Sequence, residues 1–216
     1  METAGWYFTV KVNILQFFIK ISVEFSKKKH YTAKKGNCSE PLTKNGGLHT
    51  MISRFSYGHV IETEAILQKP AADNGVLPLL SVDEASLSFT YSMADDDKVY
   101  GLGENVRGIN KRGWIYQSKC SDEPEHLEDR RSLYGAHNFF VVSGKETFGI
   151  FVDYPGILTF DIGYTRYSEL KITASDWNLD VYVITGSDVK DIIHQFRQLI
   201  GRSFVVPKWA FGYGQS

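Results

Sequence analysis

The residues best equipped for chemistry lie between positions 118 and 131, in the run Ser-Lys-Cys-Ser-Asp-Glu-Pro-Glu-His-Leu-Glu-Asp-Arg-Arg. Asp122, Glu123, Glu125, Glu128 and Asp129 place carboxylates beside His126, Arg130 and Arg131. Ionised carboxylates are strong hydrogen-bond acceptors for hydroxyls and cations. A long polar loop in a strand-rich chain is a frequent carrier of function. The same composition suits a solvated, mixed-charge loop, and spacing by itself leaves both readings open.

Other motifs carry less. Gly101-Leu102-Gly103 resembles part of a dinucleotide fingerprint, but no third glycine follows, so a turn is the expected reading. Ser143-Gly144-Lys145 resembles the tail of a phosphate loop, yet Phe139 stands where the upstream glycine is required. No Gly-x-Ser-x-Gly elbow is present, and the six histidines form no HExxH or other ligand spacing. Cys38 and Cys120 are isolated, without CxxC spacing, which suits a reducing compartment. Asn37-Cys38-Ser39 matches a glycosylation acceptor, a short motif that often arises by chance.

Composition narrows the class. The 216 residues are 43% hydrophobic and 23% charged, which allows a buried core and argues against global disorder. A net charge of -1 gives no electrostatic reason to expect nucleic acid or an anionic membrane as partner. The 14% aromatic share fits strands first and sugar-stacking surfaces second. Between Trp6 and Phe25 the apolar run is broken by Lys11, Asn13, Gln16, Lys20 and Glu24, so it predicts neither a membrane span nor a signal peptide. The expected location is cytoplasmic.

Positioning such a loop falls to strands. Residues 8–14 and 19–25 alternate with period two, and residues 27–47 read as a polar, basic linker. From Met51 on, short strands are predicted at 87–91, 99–102, 113–117, 138–143, 148–152, 158–162, 170–173 and 179–184, with turn residues between them. That spacing favours a β-sandwich over alternating βα units. Val189, Ile192, Ile193, Phe196, Leu199 and Ile200 share one face at helical spacing, with Ser187 or Asp188 as cap and Gly201 as stop. The stretch Trp209-Ala-Phe-Gly-Tyr-Gly214 reads as the start of a further strand, whose missing partner suggests that the polypeptide continues.

Three motifs recur in a familiar order: Tyr100-Gly-Leu-Gly-Glu104, Leu133-Tyr-Gly-Ala-His-Asn-Phe139 and Gly149-Ile-Phe-Val-Asp-Tyr154. The helix then leads into Gly201-Arg202 and Pro207-Lys-Trp-Ala-Phe-Gly-Tyr-Gly-Gln-Ser216. Together they resemble the N-terminal region of glycoside hydrolase family 31, the α-glucosidases and α-xylosidases, with the closest likeness to α-glucosidases of gut Firmicutes. The resemblance implies a mainly β fold: a galactose-mutarotase-like β-sandwich at 51–186, a linker helix at 187–204, and at 205–216 the entry to a truncated (β/α)8 barrel. Residues 1–50 are expected to be an extension outside the family pattern, disordered or non-native.

The resemblance further implies a retaining α-glucosidase acting on α-linked oligosaccharides through two barrel carboxylates about 5–5.5 Å apart. The family's Trp-x-Asp-Met-Asn-Glu nucleophile motif does not occur here, so the expected catalytic set in this chain is empty and the chain alone is expected to be inactive. Cys120-Ser121-Asp122-Glu123-Pro124 matches a loop that, in this family, offers an Asp to a substrate hydroxyl, which makes Asp122 the expected substrate-binding residue. No metal or organic cofactor is implied, since carboxylates and water suffice. The expected partners are the sugar substrate and the chain's own missing barrel; homo-oligomerisation stays open. The rivals are a non-catalytic carbohydrate-binding sandwich, an α-xylosidase, and a mutarotase-like epimerase, for which no His–Glu pairing is evident.

Overall fold

Apolar residues alternating along each strand converge on one interior in the computed structural model, which describes residues 51–60, 66–67, 69–203 and 205–211. One five-stranded sheet runs β1 (Ile52–Tyr57), β10 (Leu179–Thr185), β7 (Thr147–Asp153), β6 (Ala136–Ser143), β4 (Lys98–Gly103). The other runs β2 (Ser81–Asp83), β3 (Ser88–Ser92), β9 (Glu169–Ala174), β8 (Leu158–Ile162), β5 (Trp114–Gln117). All neighbouring strands are antiparallel. Phe140, Ile150 and Val181 of the first sheet pack in one cluster with Phe89, Phe160 and Ile172 of the second. This is the expected sandwich.

The first sheet is buried on both faces. Leu179, Val181 and Val183 point into the sandwich, whereas Tyr182 and Ile184 join Phe139, Val141 and Phe151 beneath a helix, α1 (Val189–Ile200). That second cover explains why Phe139-Phe140-Val141-Val142 is a continuous apolar run instead of an alternating one. Gly149 lets the helix come close, since a Cβ there would stand 2.6 Å from Ile192 Cγ2. Asp188 is the cap, its carboxylate accepting the Asp191 N–H at 2.8 Å. Gly201 ends the helix at φ 94 and ψ 167, a positive φ outside the left-handed helical basin expected of a C′ glycine.

Several expectations need correction. Gly101-Leu102-Gly103 is not a turn: it lies in β4 across a register shift against β6. At Gly101, φ is +137 and a Cβ would meet Phe139 O at 2.4 Å, so the bulge requires glycine. Leu87 takes φ 50 in the turn before β3, leaving Phe89 and Tyr91 as the core-facing pair. The stretch from Trp209 does not open a strand. Residues 208–211 form a 3-10 turn in which Ala210 N–H donates to Pro207 O at 2.9 Å, and 212–216 lie outside the described residues. The segments read at 8–14 and 19–25, with Cys38, also lie outside them.

Candidate functional site

The loop from 118 to 131 leaves β5, the edge strand of the second sheet, and its backbone explains why it holds a shape. Ser118 is bonded twice to the start of β8: its N–H donates to Leu158 O at 3.0 Å, and its Oγ accepts the Leu158 N–H at 2.8 Å. Gln117 N–H donates to Arg131 O at 3.0 Å and Ser121 N–H to Leu133 O at 2.9 Å. These two bonds close the neck of the loop, and Leu133 is buried below it. The far limb is tied by Arg107, whose Nε donates to Glu128 O at 2.8 Å while its guanidinium lies 3.8 Å from the Trp114 ring centre.

Charges within the loop sort themselves by partner. Arg130 pairs with Glu123 at 3.1 Å and Glu125 at 3.4 Å. In an exposed setting such pairs contribute about 0–1 kcal/mol each, enough to orient side chains but not to fold the loop. Asp122 stands exposed, facing the Tyr134 hydroxyl. Partial burial, then the hydrogen bond and negative charge of Asp122, push the Tyr134 phenol above its ordinary value, so it remains a neutral donor. His126 meets the Tyr134 ring edge-on, with centres 5.5 Å apart. Glu104 braces the neighbouring backbone: its N–H donates to Gly135 O at 2.6 Å, and its carboxylate accepts the Gly135 N–H at 3.1 Å.

Asp122 is therefore placed at the rim of a framed loop, with an aromatic ring and a phenolic donor beside it. Sequence reasoning isolated the loop but missed Glu104, Arg107 and Tyr134 as its supports. Glu104 and Tyr134 lay inside motifs quoted only as family marks, and nothing local signals a bond across 31 residues. Cys120, in the same loop, is an exposed free thiol.

His137, on β6, is a second titratable group. Its Nε2 is buried, and desolvation, then the charge of Lys111, lowers its pKa to about 4 from 6.5. The imidazole is neutral in the fold at pH 7. Since the folded value is depressed, the unfolded chain binds more protons between the two values. The stabilisation is fully present above pH 6.5 and is lost as pH falls toward about 4. Unfolding free energy should drop by roughly 3 kcal/mol or less across that window, read by urea denaturation at several pH values. In His137→Gln, that part of the pH slope should vanish; an unchanged slope would assign it to other groups.

Residues 18–161 match the model of the glycosyl hydrolase 31 N-terminal galactose mutarotase-like domain. The match opens inside the segment 1–50 read from sequence as an extension. α-Glucosidase 2 of Bacillus thermoamyloliquefaciens is 29% identical over 191 residues, covering 82% of this chain and 24% of that protein. An α-xylosidase of Lactiplantibacillus pentosus is 31% identical over 121 residues, covering 56% of this chain and 15% of that protein. Among solved structures, a Flavobacterium johnsoniae dextranase complexed with isomaltotriose superposes with a TM-score of 0.54 at 28% identity, covering 63% of this chain and 16% of that one. The chain thus spans about a quarter or less of the length of these relatives. Among the described residues, no helix is long and apolar enough to cross a membrane.

Proposed function

Because the chain belongs to glycoside hydrolase family 31, as its N-terminal galactose mutarotase-like domain, we propose that it supports the catalytic barrel of a retaining α-glucosidase-like enzyme and lends Asp122 to the substrate site. The observation that carries this reading is the framed loop: a neck closed by backbone bonds, an outer limb stapled by Arg107, and an exposed carboxylate beside Tyr134. A carboxylate held in this way can accept two sugar hydroxyls without the entropic cost of ordering a free loop. The substrate class is an α-linked oligosaccharide, in keeping with the α-glucosidase, the α-xylosidase and the dextranase that the chain resembles. Bond cleavage belongs to a carboxylate pair in a partner barrel, with the sandwich acting on binding. We place the enzyme in the cytoplasm.

The test is Asp122→Ala in a polypeptide joining this chain to a family barrel. Loss of one charged hydrogen-bond acceptor is expected to lower kcat/KM on an α-glucoside by about 10- to 100-fold, with hydrolysis still measurable. An unchanged kcat/KM would remove Asp122 from the site. The isolated chain is expected to release no sugar from the same substrate, and release by the purified chain would overturn the division of labour.

A further inference from the structure

The turn joining β8 to β9, residues 163–168, exposes two tyrosines, Tyr164 at 54% and Tyr167 at 62%. Each ring is gripped on one side. Trp114 meets Tyr164 with ring centres 5.0 Å apart and planes at 80°. The Arg112 guanidinium lies 4.0 Å from the centre of Tyr167. The two grips are residues two apart at the entry to β5, so one strand edge sets both tyrosines.

Those grips are themselves rigid. Arg112 Nη1 donates to the carbonyls of Ala94, Asp95 and Asp97 at 2.7, 3.1 and 3.1 Å, and Nη2 to Tyr167 O at 2.9 Å. The Asp161 carboxylate accepts the N–H groups of Tyr164 and Thr165, both at 3.1 Å. Gly163 N–H donates to Glu169 O at 2.8 Å, and Glu169 N–H to Arg166 O at 3.0 Å. Both rings thus stand in place before any ligand arrives, which removes much of the ordering cost of binding. Between the grips, a Cβ at Gly113 would meet nothing within 4 Å, so the strip separating them is bare. Beside the two rings, Trp114 Nε1 and Arg112 Nε are buried donors with no hydrogen-bond partner among the described residues.

From this arrangement we infer that the β8–β9 turn is a second saccharide-binding surface, separate from Asp122, on which Tyr164 and Tyr167 stack the faces of an α-glucan chain. A pyranose has an apolar C–H face and a rim of hydroxyls, which matches phenol rings carrying polar tips. Arg166, with 75% of its side chain exposed, supplies donors for that rim, and the carboxylate of Glu169 beside it supplies acceptors. The mixed charge of Asp161, Arg166 and Glu169 favours a neutral polyhydroxy ligand over a polyanion. The surface would hold a polymeric substrate to the protein without taking part in cleavage.

Dextran and isomaltotriose are the probes, used on the 216-residue chain itself. In native gels containing dextran the chain is expected to be retarded, and isomaltotriose is expected to shift the ring resonances of Tyr164 and Tyr167. Tyr164→Ala and Tyr167→Ala should each weaken dextran affinity about fivefold, the worth of one aromatic contact, and the double variant should run as it does without dextran. Both side chains are exposed, so the fold should persist, with near-ultraviolet circular dichroism as the check. Lys145→Ala, at an exposed position between β6 and β7, should be retarded like the parent, which ties the loss to the tyrosine turn. No retardation of the parent, or equal retardation of the double variant, would overturn the inference.

Discussion

Asp180→Ala is expected to cost about 3 kcal/mol of unfolding free energy, near the low end of the range for breaking a buried ion pair. Asp180 lies near the start of β10, beside the edge strand β1, with no exposed surface, and four groups converge on its carboxylate. Ser56 Oγ donates to Oδ1 at 2.5 Å. Arg54 Nε and Lys69 Nζ stand 3.3 and 3.1 Å from Oδ2, and the Tyr182 hydroxyl donates to Oδ2 at 3.4 Å. One anion therefore ties β10 to β1 and to residues 69–70, where Arg54 also donates to Pro70 O at 2.9 Å. Alanine would remove the carboxylate that both cations share. Their side chains keep 17% and 24% exposure, so water can recover part of the loss, which is why the low end is expected. Asp180→Asn keeps the shape and some hydrogen bonds but no charge, and should fall between alanine and the parent. Urea denaturation at pH 7 measures both. A loss under about 1 kcal/mol for alanine would mean that the cluster is solvated and contributes as a surface pair does.

Nothing near Asp180 in the chain announces this role, since Ser56 is 124 residues away and the stretch Leu-Asp-Val-Tyr-Val-Ile-Thr reads only as a strand. Legibility elsewhere followed the same division between local and distant causes. The helix was readable because its apolar period, its Asp188 cap and its Gly201 stop all act within one turn of the chain. Strands β6 to β10 were readable because burial forces apolar residues into them. By contrast, β1 buries only Phe55 fully, and the three residues of β2 are all exposed at a sheet edge, so neither leaves a pattern. The 3-10 turn at 208–211 was mistaken for strand because its aromatic residues weigh toward strand, whereas the deciding bond to Pro207 O is a matter of backbone geometry. At the candidate site, composition picked out the loop, but Arg107, Tyr134 and Glu104 reach it only through the folded chain.

The largest single loss is expected from Phe196→Ala, at about 3–5 kcal/mol, the range for emptying a buried phenylalanine site. Phe196 is the central knob of α1. Its ring lies parallel to Phe139 with centres 3.8 Å apart and an interplanar angle of 3°, and it meets Phe151 at 5.3 Å. Ile192 and Leu199 flank it on the same buried face. The site cannot collapse easily, because strands β6 and β7 beneath it are fixed by antiparallel pairing on both sides and by the sandwich core on their other face. The cavity would therefore persist, and the cost should sit toward the upper half of the range. Phe196→Leu retains most of the volume and should lose less than half as much. Ile193→Ala, on a half-buried position of the same helix, should fall below both. If the helix were only lightly docked, Phe196→Ala and Ile193→Ala would destabilise alike. A midpoint shift several times larger for Phe196→Ala, at an unchanged denaturant slope, is what a helix bound as part of the sandwich demands.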